Sequence, residues 1–259
     1  MDFMLSKILK FFGGLLFSSF LFFSFLNLSL IQFTNYQNLK ENLMPVIKDM
    51  ISLQIKPEQL NNLRIALLKG CENLESLPIQ IGIYNVNLNC KDIRESKIEG
   101  FDEFLANALF DSLYYKKYDC DFISCLRQGD VNNLLIIFSY QGNNFFKLSI
   151  YFTLLFTILG LIMILISIKD FRARFSFLGW NILFATLPII ILPFGIDYLK
   201  ILFLPKITQE LNLESIITNI VLKIFTQNIA IVITFFALGI VLITISMLSK
   251  KSIRKTKKS

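Results

Sequence analysis

The chain has 259 residues, 54% of them hydrophobic and 17% charged, with a formal net charge of +7 and no histidine. A soluble domain averages about 45–50% apolar residues and spreads its charge along the chain, whereas here the charge is missing from long windows. Without histidine, a phosphate-cradling glycine loop or a GxSxG elbow, the commonest enzyme chemistries have no visible apparatus, and a non-enzymatic protein is expected.

Residues 1–10 carry Lys7 and Lys10. No Asp, Glu, Lys or Arg follows from Phe11 to Leu39, a window longer than the ~20 residues that take a helix across a hydrocarbon core. Its apolar run to Phe33 also exceeds the roughly 7–15 residues of a signal-peptide h-region, so a retained transmembrane helix over 11–34 is expected. Further charge-free windows run from Leu148 to Ile168, from Phe175 to Ile196 and from Ile224 to Ser249. They predict transmembrane helices over 147–168, 177–198 and 227–249, separated by loops 169–176 and 199–226.

Short cytoplasmic segments carry an excess of Lys and Arg. Residues 1–10, 169–174 and 250–259 hold eleven basic residues against Asp2 and Asp170, while residues 40–147 hold twelve basic and fourteen acidic ones. The loop from Asp197 to Lys223 has three of each. This asymmetry predicts both termini in the cytoplasm and residues 35–146 outside the cell, in a multi-pass protein of the plasma membrane.

All four cysteines, Cys71, Cys90, Cys120 and Cys125, fall in that outer segment. An even count confined to an oxidising compartment reads as disulfides. Zinc would need all four as ligands at a spacing unlike the common knuckle, and no CxxC redox pair occurs; no metal or cofactor is expected. Three pairings are open, and Cys71–Cys90 with Cys120–Cys125 is favoured because each closes a local loop.

Within the segment, apolar residues from Tyr36 to Ile51 recur at helical spacing and could extend the first span outward. Pro57 suits a first helical position, and Gly70 suits a C-terminal stop. The alternation in 79-IQIGIYNVNLNC-90 predicts a strand or short hairpin. Phe101 to Leu113 again has helical spacing, with Asp102 and Glu103 in the first turn, where the dipole favours them. The run 134-LLIIF-138 is a candidate buried strand. Together these define a small, disulfide-clipped α+β extracytoplasmic domain between helices 1 and 2 of a mainly α membrane protein.

Candidate functional residues are few. Asp102, Glu103 and Asp111 fit a solvated helix face. Asp119, Asp121 and Asp130 bracket the short cysteine loop but lack the spaced acidic pattern and central glycine of a calcium hand, so a plain solvated loop is favoured. Tyr114 and Tyr115 could form a recognition patch, with core packing the preferred role. Asp197, beyond Pro188 and Pro193, could mark a substrate site on a broken helix, although a place at the outer interface is the plainer reading.

Gly13, Gly14, Ser18, Ser19, Thr153, Thr157 and Gly160 suit close helix packing. Trp180 suits an anchor at the headgroups. The pattern of 208-TQELNLESIITNIVLKIF-225 predicts an amphipathic helix with little cationic face, packed against the outer domain in preference to lying on the membrane. The tail residues Lys250, Lys251, Arg254, Lys255, Lys257 and Lys258 can attract anionic headgroups. A nucleic-acid role is not expected, because no aromatic interleaving accompanies that charge.

Four spans with a cystine-bearing loop after the first resemble the outline of claudin-type tetraspan proteins. The only tryptophan, Trp180, lies outside that loop and the tetraspanin CCG is missing, so no family residues carry over. The leading expectation is a membrane protein whose outer domain binds a protein or ligand, with membrane lipid and a protein partner or second copy as its associates. A small transporter or channel subunit centred on the third span, and a sensory input read by a separate cytoplasmic protein, are the alternatives.

Overall fold

A computed structural model describes residues 2–55, 57–81, 84–96, 100–128, 130–203 and 222–256. The chain is mostly helical (84%) and divides into two compact units, Met1–Phe33 with Phe146–Ser259, and Thr34–Phe145.

The first unit is built on α1 (Asp2–Phe33), α8 (Tyr140–Ser167, which begins in the second unit), α9 (Phe171–Phe203) and α10 (Ile229–Thr256). Among the described residues these four helices are long and apolar enough to cross a membrane, and the chain is a multi-pass membrane protein. Each begins or ends beyond its charge-free window, because helix geometry continues into the headgroup region where lysine and arginine stems can lie. Consequently only Ile168–Asp170 separates α8 from α9. Arg174 closes that corner by donating twice to the Ile168 carbonyl, at 3.0 and 2.7 Å.

Phe17, Leu21, Phe25, Ile164, Ile182, Ala185, Ile189 and Val232 form the interior of this unit. Outward-facing Leu148, Tyr151, Ile166 and Met247 remain largely exposed, as expected of surfaces that hydrocarbon covers. Glycines set the close approaches. A Cβ on Gly160 would meet the Phe17 backbone N at 2.5 Å, and one on Gly179 would meet the Gly239 carbonyl at 2.7 Å. The small residues expected to pack helices together do so at Gly13, Gly14 and Gly160. Thr153 and Thr157 are buried too, but their hydroxyls donate within α8, to Ile150 and Thr153 carbonyls.

The expected break in the third span is absent. α9 runs unbroken through Pro188 and Pro193. Opening a helix in lipid would expose further backbone donors and acceptors, so the chain tolerates two missing N–H groups instead. Half-exposed Trp180 lies on this helix.

The second unit starts with a break. Thr34 and Asn35 interrupt the chain, so α2 (Tyr36–Gln54) does not continue α1. The cause is local. The Asn35 side chain accepts from the Gln37 N–H at 3.2 Å as an N-cap, while the Thr34 carbonyl accepts from the Tyr114 hydroxyl and its Oγ1 from Asn143 at 2.8 Å.

α3 (Pro57–Gly70) follows, then an antiparallel hairpin of β1 (Ser76–Ile81) and β2 (Tyr84–Asn89), in register from Ser76↔Asn89 to Ile81↔Tyr84. α4 (Cys90–Glu95), α5 (Phe101–Tyr114) and α6 (Phe122–Gln128) complete the framework. α5 packs on α2 and β2, burying Phe101, Leu105 and Phe110 with Leu39, Ile47, Val86 and Leu88.

The run 134–138 is not a strand. α7 (Val131–Leu134) leads directly into a 3-10 turn, Leu135–Phe138. The Asp130 carbonyl accepts from the Asn133 and Leu134 N–H groups, and Ser139 caps the helix that begins at Tyr140 by accepting from the Gly142 N–H at 3.2 Å. A short apolar run held between two such local stops coils, and Ile136 alone is fully buried. Periodicity cannot separate that outcome from a strand over five residues.

Both disulfides lie in this unit, Cys71–Cys90 and Cys120–Cys125, with sequence separations of 19 and 5. Arg94 reinforces the first by donating to the Cys71 carbonyl at 2.9 Å, and Arg64 ties α3 to the end of α4 through the Ser96 carbonyl at 2.7 Å.

Candidate functional site

The second unit contains a groove of about 650 Å³. One wall comes from the end of β2 and from α4, through Asn87, Leu88, Asn89 and Asp92; α5 supplies the other, through Phe104, Asn107, Asp111, Ser112 and Tyr115 at its end. The alternation of β2 explains the first wall, since Leu88 turns into the core while Asn87 and Asn89 stay exposed. On α5, buried Phe101, Leu105 and Phe110 face inward, which leaves the Phe104–Asn107–Asp111 face beside the groove. Asn87 and Asn89 also border a second groove of about 540 Å³ beside Glu75, Lys91 and Arg94.

An aromatic cluster closes one end. The Tyr36 ring lies 5.4 Å from Phe110, 5.3 Å from Tyr114 and 5.9 Å from Tyr115, and Tyr115 lies 6.1 Å from Tyr140. The two tyrosines singled out from the sequence divide the roles between them. Tyr114 is 4% exposed and core, whereas Tyr115 is 57% exposed and lines the groove.

Tyr36 donates to Asp111 Oδ1 at 2.6 Å and accepts from Lys40 Nζ at 3.3 Å. Burial, reinforced by the Asp111 carboxylate, pushes the Tyr36 hydroxyl up to about 12, and burial raises Tyr114 as well. A raised folded-state value means the neutral phenol is favoured by folding. Stability from this group is therefore complete below pH 10 and is lost as pH rises toward about 12. Tyrosinate absorbance should show a late-ionising fraction, and Tyr36→Phe should reduce that fraction by one group while costing about 1–2 kcal/mol of stability. A late fraction of undiminished amplitude in the Tyr36→Phe protein would refute the pairing.

Among the described residues that line it, the groove carries two carboxylates, Asp92 and Asp111, and no lysine or arginine, beside three asparagines and an exposed tyrosine face. Such a set repels anions. It suits a neutral polar or cationic ligand that can exchange hydrogen bonds with amides and lay an apolar face on an aromatic ring.

The other sequence candidates are placed elsewhere. Asp102 and Glu103 are exposed on α5, where Glu103 pairs with Lys48 at 3.1 Å. Asp121 caps α6 by accepting from the Ser124 N–H at 2.8 Å, and that hydrogen bonding with Ser124 holds its carboxyl below the usual range. Among the described residues no group of three or more His, Cys, Asp or Glu could hold a metal ion.

Asp197 lies on the backbone of α9, and Lys250, Lys251, Arg254 and Lys255 lie on that of α10. Lys257, Lys258 and most of the 208–225 segment lie outside the described residues.

Sequence reasoning missed a set of buried amides and hydroxyls in the first unit. Asn27 donates to Ser149 Oγ at 3.1 Å, and Asn228 to Ser29 Oγ at 3.2 Å. The available signal was an asparagine inside an otherwise apolar window, since such residues join helices across the bilayer. Comparison with models of protein families, with curated proteins and with solved structures finds no match.

Proposed function

We propose that this is a non-enzymatic protein of the plasma membrane whose disulfide-clipped domain lies outside the cell and binds a protein or ligand in the groove between β2 and α5. Both termini face the cytoplasm, and the spans anchor the domain and associate with lipid and with a partner or second copy. The observation that carries the reading is the groove itself, an acidic, amide-rich wall ending on exposed Tyr115, built in the one unit that contains both disulfides. The excess of basic residues in 1–10, 169–174 and 250–259 supports the orientation.

Orientation has a direct test, because all four cysteines are bridged. A membrane-impermeant maleimide should label intact cells only after treatment with an impermeant reductant. Labelling that requires permeabilisation would overturn the outside placement. Binding is tested by a photo-crosslinking residue at Tyr115 or Asn107 of the full chain in cells, with exposed Ile123, which does not line the groove, as the control. A discrete adduct from both groove positions and not from the control is expected. Equal or absent adducts at all three sites would remove the binding role.

A further inference from the structure

At the basic end of the first unit, α1 and α9 leave a groove of about 480 Å³ between them. Lys7 and Lys10 stand at its rim; Phe11, Gly14, Leu15 and Phe177 line its floor, with Ser18 and Asn181 further along. Gly14 lets α9 pack closely along the groove, since a Cβ there would meet the Phe177 ring at 2.8 Å and Asn181 Oδ1 at 3.1 Å. Lys10 Nζ lies 4.8 Å from the Phe177 ring centroid, so its ammonium is held over the mouth.

We propose that this groove is a binding site for one anionic phospholipid, its phosphate between Lys7 and Lys10 and an acyl chain along the trough toward Ser18. The proposal does not depend on the outer groove or its ligand. Three observations carry it. Lys10 immediately precedes the charge-free window that starts at Phe11, which sets its ammonium at headgroup depth. From Lys10 to Ser18 the helix rises about 12 Å, into the hydrocarbon, along a floor that is mainly apolar.

The third observation is the charge around the mouth. The Ser6 hydroxyl donates to the Ser167 carbonyl at 2.8 Å, so the α8–α9 corner with Lys169, Arg172 and Arg174 shares this end. Of the two acids in the neighbouring sequence, Asp2 and Asp170, the latter caps α9 by accepting from the Arg172 and Ala173 N–H groups. A cationic rim above an apolar trough complements a phosphodiester above its acyl chain, and basic pockets between transmembrane helices take anionic headgroups in this manner. The same end of a second copy would bring like charge to the rim, which disfavours self-association there.

The test uses the full chain in nanodiscs of phosphatidylcholine with and without phosphatidylglycerol, followed by native mass spectrometry. The expected result is one phosphatidylglycerol retained per chain, released by high salt. The double variant Lys7→Gln/Lys10→Gln should weaken retention on the order of 25-fold, about fivefold per cation. Because those lysines also help set orientation, Ser18→Leu provides a second arm that fills the trough at unchanged charge, and it should reduce retention likewise. Neutralising Lys250, Lys251, Arg254 and Lys255 should leave the bound lipid in place. Equal retention of phosphatidylcholine, insensitivity to all trough variants, loss only with the tail, or a dimer in place of bound lipid would each overturn the proposal.

Discussion

Gly160→Val should destabilise the helix bundle by about 3 kcal/mol, at the upper end of what overpacking costs. A side chain at this position meets the Phe17 N at 2.5 Å, the Phe17 Cα at 2.9 Å and the Gly13 carbonyl at 3.0 Å. These are backbone atoms of a helix and cannot rotate away. The helices must separate, and separation also loosens the stacked Phe20–Phe156 pair, whose ring centroids are 4.8 Å apart. Between transmembrane helices, packing rather than burial from water supplies most of the attraction, so a small gap removes much of it. Gly14→Ala provides the contrast. Its nearest neighbours are side-chain atoms, the tip of Phe177 and Asn181 Oδ1, which can yield, so its cost should stay below about 1 kcal/mol. Reversible unfolding in mixed micelles checks both. A Gly160→Val protein as stable as its parent would mean that α1 and α8 do not meet at this level.

Removing the Cys71–Cys90 bridge as the double serine variant should cost about 3 kcal/mol of stability in the second unit, and removing Cys120–Cys125 about 2 kcal/mol. The order follows from chain entropy, since the first bridge closes a loop with a separation of 19 and the second only 5, and the constraint on the unfolded chain grows with loop size. Two further effects widen the gap. Cys71 and Cys90 are completely buried, and the Arg94 contact to the Cys71 carbonyl depends on the bridge holding α4 beside the end of α3. Hydrogen exchange of the hairpin amides gives the readout. Protection of β1 and β2 should fall in the Cys71/Cys90 variant and persist in the other; the reverse order would show that the short clip dominates.

The spans were readable because hydrocarbon excludes charge, and charge-free windows leave a mark in any register. Their ends were not, since Tyr140 and Phe171 start helices within polar sequence through the Ser139 and Asp170 caps. The paired helices at Pro57–Gly70 and Phe101–Tyr114 and the hairpin between them follow from periodicity and turn residues. The run 134–138 misleads because five apolar residues satisfy strand and helix alike, and the deciding caps lie outside it. Proline in the third span misleads for another reason, as the rule against proline in helices assumes that water will accept the freed groups.

The groove between β2 and α5 was invisible because it is not local. Asn87 and Asn89 belong to a hairpin and Asn107 and Tyr115 to a helix and its end; each alone is an ordinary surface residue. The only hint, the Tyr114–Tyr115 pair, became informative once the α5 register turned one ring inward and left the other at the surface.

The buried amides of the first unit have a consequence for how the chain is made. Asn27 finds Ser149 across a separation of 122 residues, and Ser29 receives Asn228 across 199. At about 5–20 residues per second of synthesis, the first helix waits roughly 6–24 s for one partner and about 10–40 s for the other. Throughout that interval its asparagine faces lipid without the hydroxyl it will finally hold, and so do the Gly13 and Gly14 surfaces that α8 and α9 later cover. The covalent links of the second unit close far sooner, over separations of 19 and 5. Biogenesis of this protein therefore places its heaviest demand on whatever shelters the first helix until the last one arrives.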